Sequence, residues 1–367
     1  MRIGLNLLFL RPSHSGGTET YAKGLLAGLA ALDTKHSFFV FLNRECRDWA
    51  VPRSTAFEPV PCPVSATSAL RRYFFEQVRF PSIVSRYHLD LLHSLGYVAP
   101  LRLACPSVVT IHDLNYKALS AHMNQMKRWA LGAIVPAVAR RARHVITDSE
   151  ASRVQIISEI RLPPERVSTI HLAPRIVEPP APGTVVPRLN IFPRDAYAVC
   201  FTSPSHHKNL AHLFQAFAAI QPGLESGFCL VCIGNEPTTT PGKMRHAPPG
   251  ILFTGFLPDQ SVADLVRGAR FLVLPSIYEG FGLPALEAMT LGTPVICSDI
   301  PPLREICADA AEYFDPHSID AIAATVSRTL SNPVRLDEMR RRGRELANAF
   351  SWEKTARATL RVYETPR

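Results

Sequence analysis

Two glutamates and two glycines surround a turn between an apolar run and a helical pattern, within residues 271–300 (FLVLPSIYEGFGLPALEAMTLGTPVICSDI). Gly280 and Gly282 remove side chains where a ligand would approach the backbone, and the proline that follows favours a helix start. The positive end of that helix favours an anion such as a diphosphate. Glu279 and Glu287 would repel the anion, but carboxylates accept hydrogen bonds from hydroxyl groups. The pattern therefore fits a nucleotide sugar, in which polyols flank a diphosphate.

The same turn also permits a different ligand. It spells Gly280-x-Gly282-x-x-Ala285, which is close to the fingerprint that binds NAD, and Asp299 follows the next apolar run. This alternative makes the chain an NAD-dependent oxidoreductase or another nucleotide-binding Rossmann protein. Glu287 argues against it, because a second carboxylate inside the helix would lie on the ligand side.

The segment from Glu279 to Glu287, followed by Gly292-Thr-Pro-Val, resembles the E-x7-E motif of glycosyltransferase family 4, whose members are retaining enzymes with the GT-B fold. The resemblance implies that Glu287 holds the ribose hydroxyls and that Glu279 faces the transferred sugar, in a catalytic role. It also implies that the intervening backbone meets the sugar and the phosphates, at Gly280, Phe281, Gly282 and Leu283.

A second glycine turn lies near the start of the chain. A strand-like run over residues 3–10 precedes Gly16 and Gly17, and Thr18 is the expected N-cap of a helix over residues 19–32. In family 4 this loop approaches the donor phosphates, so the resemblance assigns both glycines to the nucleotide sugar.

His112 ends the strand-like run SVVTIH. Side chains at the carboxyl ends of strands in an open α/β sheet face the ligand crevice. A single histidine is more often structural, but family members carry a histidine at this strand end near the donor sugar. The resemblance therefore favours a catalytic His112.

His207 and Lys208 stand between a strand-like run and a helix, where cations would clamp a diphosphate. The family usually has an arginine at the position of His207, so Lys208, a further catalytic candidate, would act with less cationic help. The resemblance also assigns a later loop to the pocket of the nucleotide base, at Gly255, Phe256 and Leu257.

The sequence contains no Asp-x-Asp, so we expect no cofactor and no metal. Lys208, the helix N-terminus and the loop amides would stabilise the leaving diphosphate instead. The resemblance implies retention of configuration, for which we favour departure and attack on one face of the sugar. Cys229 and Cys232 form a CxxC, but strand alternation puts them on opposite faces, and the scattered cysteines fit a reducing cytoplasm.

Alternating strand and helix patterns, with glycine turns in both halves, indicate two Rossmann-like doubly wound α/β domains. The resemblance specifies the GT-B fold, in which these domains face each other across a cleft. We expect an N-terminal, acceptor-side domain over residues 1–178 and a proline-rich linker over 179–188. A nucleotide-sugar domain would occupy residues 189–351, and a terminal helix over 352–367 would pack back on the first domain.

The 367 residues carry a formal net charge of +9, which favours anionic partners such as nucleic acid, phosphorylated substrates or an anionic membrane. The basic residues are too spread for a nucleic-acid-binding protein. Basic helical segments at Arg71–Arg79 and Lys127–Arg143 fit peripheral contact with the inner face of the plasma membrane. The first apolar run reads as a strand and not as a signal peptide.

The donor rests on the resemblance alone. The TIHDL strand, the HKN loop and the tryptophan-containing C-terminal segment are similar to the mannosyltransferase-like branch of family 4. This implies transfer of mannose from GDP-mannose to a glycan or a polyprenyl-diphosphate-linked acceptor in polysaccharide or lipopolysaccharide biosynthesis.

Overall fold

The computed structural model describes residues 1–12, 16–118, 125–175, 197–203, 205–236 and 249–365. The chain divides into two compact units. The first contains Met1–Ala173 together with Phe350–Arg367, and the second contains Pro174–Ala349. The expected linker at residues 179–188 lies outside the described residues.

The described residues form two parallel sheets, which confirms the predicted α/β class. The strands of the first unit are β1 (Arg2–Asn6), β2 (Ser37–Leu42), β3 (Phe57–Pro61), β4 (Leu91–Ser94), β5 (Ser107–Thr110), β6 (His144–Thr147) and β7 (Val167–Thr169). Those of the second unit are β8 (Tyr197–Phe201), β9 (Cys229–Ile233), β10 (Ile251–Phe253), β11 (Phe271–Leu274), β12 (Val295–Ser298) and β13 (Ala311–Phe314).

Helices connect the strands. The first unit has α1 (Gly17–Ala31), α2 (Ala69–Val78), α3 (Phe80–Ser85), α4 (Asn115–Ala118), α5 (Gln125–Arg141) and α6 (Glu150–Ile160). The second unit has α7 (Leu210–Ile220), α8 (Asp259–Gly268), α9 (Leu283–Leu291), α10 (Pro301–Cys307), α11 (Ile319–Leu330) and α12 (Pro333–Ala347). Helix α13 (Trp352–Glu364) belongs to the first unit.

The strands are apolar runs without polar alternation, because helices cover both faces of a parallel sheet. In β2, for example, every residue after Ser37 is buried. The strand orders are β3-β2-β1-β4-β5-β6-β7 and β10-β9-β8-β11-β12-β13. Each order reverses once, between β1 and β4 and between β8 and β11. Open α/β sheets bind ligands beyond the carboxyl ends of the strands at such a reversal.

Helix α13 packs on α1 within the first unit. Gly24 and Gly28 of α1 lie against Trp352, whose ring and backbone would overlap with a Cβ at either glycine. The two glycines are therefore required for the close approach of α13. Arg143 also contacts this helix, because its Nη2 donates a hydrogen bond of 2.8 Å to the carbonyl oxygen of Val362.

A buried polar network joins α13 to the sheet. The Tyr363 hydroxyl lies 2.6 Å from Nδ1 of His93, whose Nε2 lies 2.8 Å from Oγ1 of Thr110. The Tyr21 hydroxyl of α1 lies 2.9 Å from the same Thr110 oxygen. Burial lowers the pKa of His93 to about 3, so its imidazole is neutral and pairs with hydroxyl groups.

Candidate functional site

The second sheet brings a lysine and a glutamate together at its strand-order reversal. Lys208 ends a 3-10 turn that follows β8, and Glu279 lies in the loop after the neighbouring strand β11. The Nζ of Lys208 lies 2.7 Å from Oε1 of Glu279. Their side chains are 21% and 10% exposed, so water reaches only one edge of this ion pair.

The ion pair sets the charges around it. Burial alone would raise the pKa of Glu279, but the charge and hydrogen bond of Lys208 outweigh burial and hold that pKa below its usual value. Burial and the nearby Lys208 charge lower the pKa of His207. Within the described part of the chain, the buried Nδ1 of His207 has no hydrogen-bond partner. The site thus contains an ionised carboxylate, an ammonium group and a neutral imidazole.

The glycine turn between Glu279 and α9 is built for close approach. Gly282 is the N-cap of α9 and has a φ of 112°, which strains any other residue, and a Cβ there would lie 2.7 Å from Cδ2 of Leu303. Phe281 is buried, so its ring packs inward and leaves its backbone at the turn. The helix begins at Leu283 with a proline in its first turn. Its positive end therefore lies beside Gly280 and the ion pair.

Glu287 lies one turn into α9 and is 16% exposed. Its carboxylate faces Arg175, which sequence reasoning did not single out: Nε of Arg175 lies 3.4 Å from Oε1, and the backbone N–H of Arg175 also donates to the carboxylate. Nη1 of Arg175 lies 2.5 Å from Oδ1 of Asp259, at the start of α8. Burial raises the pKa of Glu287, although Arg175 opposes this shift.

The loops after β9 and β10 are joined at the same end of the sheet. Gly234 and Gly255 form a β-bridge, with Gly255 N–H donating to the carbonyl of Gly234 at 3.1 Å. Gly255 has a φ of 66°, so this turn also favours a glycine. Phe256 is 79% exposed and Leu257 is half-buried. An exposed aromatic ring beside a tight turn offers a stacking surface for a planar group.

In the first unit, His112 is held inside the sheet edge. Nδ1 lies 2.7 Å from Oδ2 of Asp148, and Nε2 lies 3.3 Å from the carbonyl oxygen of Leu95. Burial lowers the pKa of His112, but the Asp148 carboxylate outweighs it, so the net pKa is raised. With an acceptor at each nitrogen, the ring favours the imidazolium form. Its contacts therefore favour a positive charge just after the end of β5.

The loop after β1 leads to α1. Gly16, with a φ of 50°, is the N-cap, and α1 begins at Gly17. The expectation that Thr18 would be the N-cap is wrong. The helix starts one residue before Thr18, because Gly16 adopts a backbone conformation that a threonine avoids. The ring of Tyr21 in α1 contacts His112, with 5.1 Å between ring centroids, so α1 and β5 meet at this edge of the first sheet.

The residues on which the alternative chemistries depend also have defined positions in the structure. Asp299 of the NAD-like pattern is paired with Arg304 through two hydrogen bonds of 2.6 and 2.7 Å. Among the described residues, no three His, Cys, Asp or Glu side chains lie close enough to hold a metal ion. Cys229 and Cys232 are both buried in β9 as free thiols.

Helix α2 carries an exposed apolar stripe. Leu70, Phe74 and Val78 are spaced four residues apart and are 54%, 66% and 55% exposed. Arg71 and Arg79 beside them are also exposed. No helix within the described ranges is long and apolar enough to cross a membrane. The α2 stripe therefore leaves three large apolar side chains in contact with solvent.

Two sequence families match the chain in succession. The family described as Glycosyltransferase Family 4 matches residues 15–173, and that described as Glycosyl transferases group 1 matches residues 186–346. O-antigen chain mannosyltransferase B of Escherichia coli is 29% identical over 283 residues, or 75% of this chain and 74% of that protein. The MMP alpha-(1->4)-mannosyltransferase of Mycolicibacterium hassiacum is 27% identical over 418 residues, or 99% and 98%.

Solved structures of similar fold cover almost the whole chain. Sucrose-phosphate synthase of Thermosynechococcus elongatus has a TM-score of 0.76 at 20% identity, covering 99% of this chain and 98% of that one. WaaG, a glycosyltransferase involved in lipopolysaccharide biosynthesis, has a TM-score of 0.73 at 15% identity, covering 99% and 100%. Anabaena HepE in complex with UDP-glucose has a TM-score of 0.69 at 16% identity, covering 99% of each chain. The fold class of the chain is therefore GT-B.

Proposed function

Since the chain belongs to glycosyltransferase family 4 and has mannosyltransferases among its relatives, we propose that it moves a hexose from a nucleotide sugar to a glycan or polyprenyl-diphosphate-linked acceptor. The pathway we propose is the biosynthesis of a surface polysaccharide of the lipopolysaccharide type. The observation that carries this proposal is the grouping of Lys208, Glu279 and Glu287 around the N-terminus of α9.

Each member of this grouping has a proposed role. Glu287 accepts hydrogen bonds from the ribose hydroxyls, and Glu279 faces the transferred sugar. Lys208 and the positive end of α9 neutralise the diphosphate, which has to compete with Glu279 for the lysine. The backbone of Gly280, Phe281, Gly282 and Leu283 lies against the sugar and the phosphates. Gly255, Phe256 and Leu257 receive the base, with the Phe256 ring available for stacking.

In the first unit, the proposed donor contacts are Gly16, Gly17 and His112. The N-terminus of α1 would approach the diphosphate. The charge that Asp148 stabilises on His112 would act on the oxygens of the sugar. This role needs no proton transfer by the imidazole, because both ring nitrogens already have acceptors.

The proposed reaction retains configuration and needs no metal. The bond between the anomeric carbon and the phosphate oxygen breaks, and the acceptor oxygen bonds to that carbon on the same face. The leaving phosphate takes the acceptor's proton. Lys208 and the helix N-terminus stabilise the charge that develops on the phosphate.

GDP-mannose is the proposed donor, supported by the mannosyltransferases among the relatives. A panel of GDP-mannose, other GDP-hexoses, UDP-glucose and NAD tests it by hydrolysis or transfer. Turnover of GDP-mannose, lost in Glu287→Ala, is the expected result. Turnover of UDP-sugars alone would refute the donor, and binding of NAD without turnover of any nucleotide sugar would refute the glycosyltransferase mechanism proposed for this site.

Peripheral contact with the cytoplasmic face of an anionic membrane is also proposed, with α2 as the contact element. Its apolar stripe would enter the interface while Arg71 and Arg79 meet lipid phosphates. Flotation with phosphatidylglycerol vesicles should show binding that weakens with salt and falls in Phe74→Ser. Val154→Ser is the matched control, because Val154 is a 58% exposed apolar residue on α6. Equal binding by both variants would refute the role of α2.

A further inference from the structure

Arg175 holds two carboxylates that come from different helices of the second unit. Its Nη1 is 2.5 Å from Asp259 on α8, which is a short, charge-assisted hydrogen bond. Its Nε is 3.4 Å from Glu287 on α9, which is longer than an ordinary N–H···O bond. One end of the guanidinium is therefore anchored, and the other end is only loosely paired.

The Nε–H group is the unsatisfied part of this arrangement. It is buried, and among the described residues it has no hydrogen-bond partner. A buried donor without a partner costs free energy, more so when it belongs to a charged group. A ligand that supplies an acceptor at this point would remove that cost.

The neighbouring carboxylate specifies the kind of ligand. Glu287 only accepts hydrogen bonds, while Nε–H only donates. A hydroxyl group can donate to the carboxylate and accept from Nε–H at the same time. Because Nε of Arg175 and Oε1 of Glu287 are 3.4 Å apart, one hydroxyl oxygen can lie about 2.8 Å from both atoms. Turning of the guanidinium about its Asp259 contact would open the space.

We propose that Arg175 is a further donor-binding residue, which holds one ribose hydroxyl between its Nε–H and the carboxylate of Glu287. Asp259 positions Arg175 for this contact by fixing the opposite edge of the guanidinium. The inference rests on the proposed function, in which Glu287 binds the ribose. It adds a cation to a subsite that the sequence motif describes with a carboxylate alone.

The test compares nucleotides that differ by one hydroxyl. Calorimetry of the intact protein would use GDP and UDP, then the 2′-deoxy and 3′-deoxy forms of whichever binds more tightly. Wild type should lose affinity about tenfold or more when the bridging hydroxyl is absent. Arg175→Met should lose a similar factor for the ribonucleotide, but less than twofold for the deoxynucleotide that lacks this hydroxyl.

Arg267→Met is the matched control, since Arg267 is an exposed arginine on α8 that pairs with Asp264. It should behave as wild type. If Arg175→Met does not fold, Asp259→Asn keeps the arginine and removes the negative charge that anchors it, and the penalty for the missing hydroxyl should shrink several-fold. An unchanged penalty in these variants would overturn the inference.

Two further outcomes separate the inference from its premise. Arg175 could act only by keeping Glu287 ionised, since Arg175 and Asp259 are the charged groups that face it. The defect of Arg175→Met would then disappear as the pH is raised, and it would affect both deoxynucleotides equally; that result overturns the hydroxyl contact. If Glu287→Ala itself binds GDP and UDP as wild type does, the proposed function fails at this site.

Discussion

Replacing Lys208 with methionine should destabilise the second unit, because it leaves the buried Glu279 carboxylate without its cation. Removing one partner of a buried ion pair typically costs 3 to 5 kcal/mol, because the remaining charge is left uncompensated. Here the lysine side chain is 21% exposed, so water can partly replace it. We therefore expect a loss of about 2 kcal/mol in the stability of the second unit.

The double variant Lys208→Met with Glu279→Gln separates stability from catalysis. The double variant also removes the Glu279 charge that Lys208→Met leaves unpaired. Denaturant unfolding should therefore show recovery of at least half of the lost stability. Activity should not recover. Loss of one preorganised cation at the leaving group lowers kcat about 100- to 1000-fold, and both variants lack that cation.

The pH dependence gives an independent check. The lowered pKa of Glu279 in the wild type means that its stabilising contribution is present above the pKa of the unfolded state and is lost as pH falls. In Lys208→Met, the two largest effects that oppose burial are lost, so burial raises that pKa and the penalty is relieved as pH falls. The stability gap between the two proteins should narrow from pH 8 to pH 5. A constant gap, or a double variant no more stable than the single one, would refute this reasoning.

Three shorter predictions follow from other contacts. Gly28→Ala should lower the free energy of unfolding by about 1 to 3 kcal/mol, because the added methyl overlaps the Trp352 backbone. Gly132→Ala in α5 is the control: its added methyl meets open space, so urea unfolding should show a neutral or stabilising effect. His112→Gln should lose most stability at or below pH 6.5 and progressively less as pH rises through the raised pKa of His112, when Tm is compared with wild type; a difference independent of pH would contradict the ion pair with Asp148. Transferase activity should survive excess EDTA, and its loss and restoration by Mg²⁺ would contradict the proposed metal independence.

The glycine turn could be predicted because its determinants are local. Gly282 must adopt a positive φ, and a proline can occupy the first turn of a helix. Four consecutive residues are therefore enough to predict where α9 begins. The N-cap of α1 was harder to predict, because glycine and threonine, at Gly16 and Thr18, are both acceptable N-cap residues. The choice between them depended on how the loop enters α1, which the sequence pattern does not reveal.

The ion pairs of the site depend on topology. Lys208 and Glu279 are 71 positions apart and meet because β8 and β11 are neighbours at the strand-order reversal. The strand order of this sheet could be predicted only once the fold class was known. Arg175 lies 112 positions from Glu287 and has no motif around it, so neither residue type nor spacing identifies the contact. Side-chain partners of this kind follow from packing rather than from local pattern.

The membership of α13 in the first unit has a consequence for synthesis on the ribosome. Residues 174–349 emerge between the first sheet and the helix that covers Gly24 and Gly28 of α1. Until Tyr363 is translated, His93 lacks the hydroxyl that satisfies its Nδ1. The contacts of α13 with α1 and His93 can therefore form only after residues 174–349 have been synthesised.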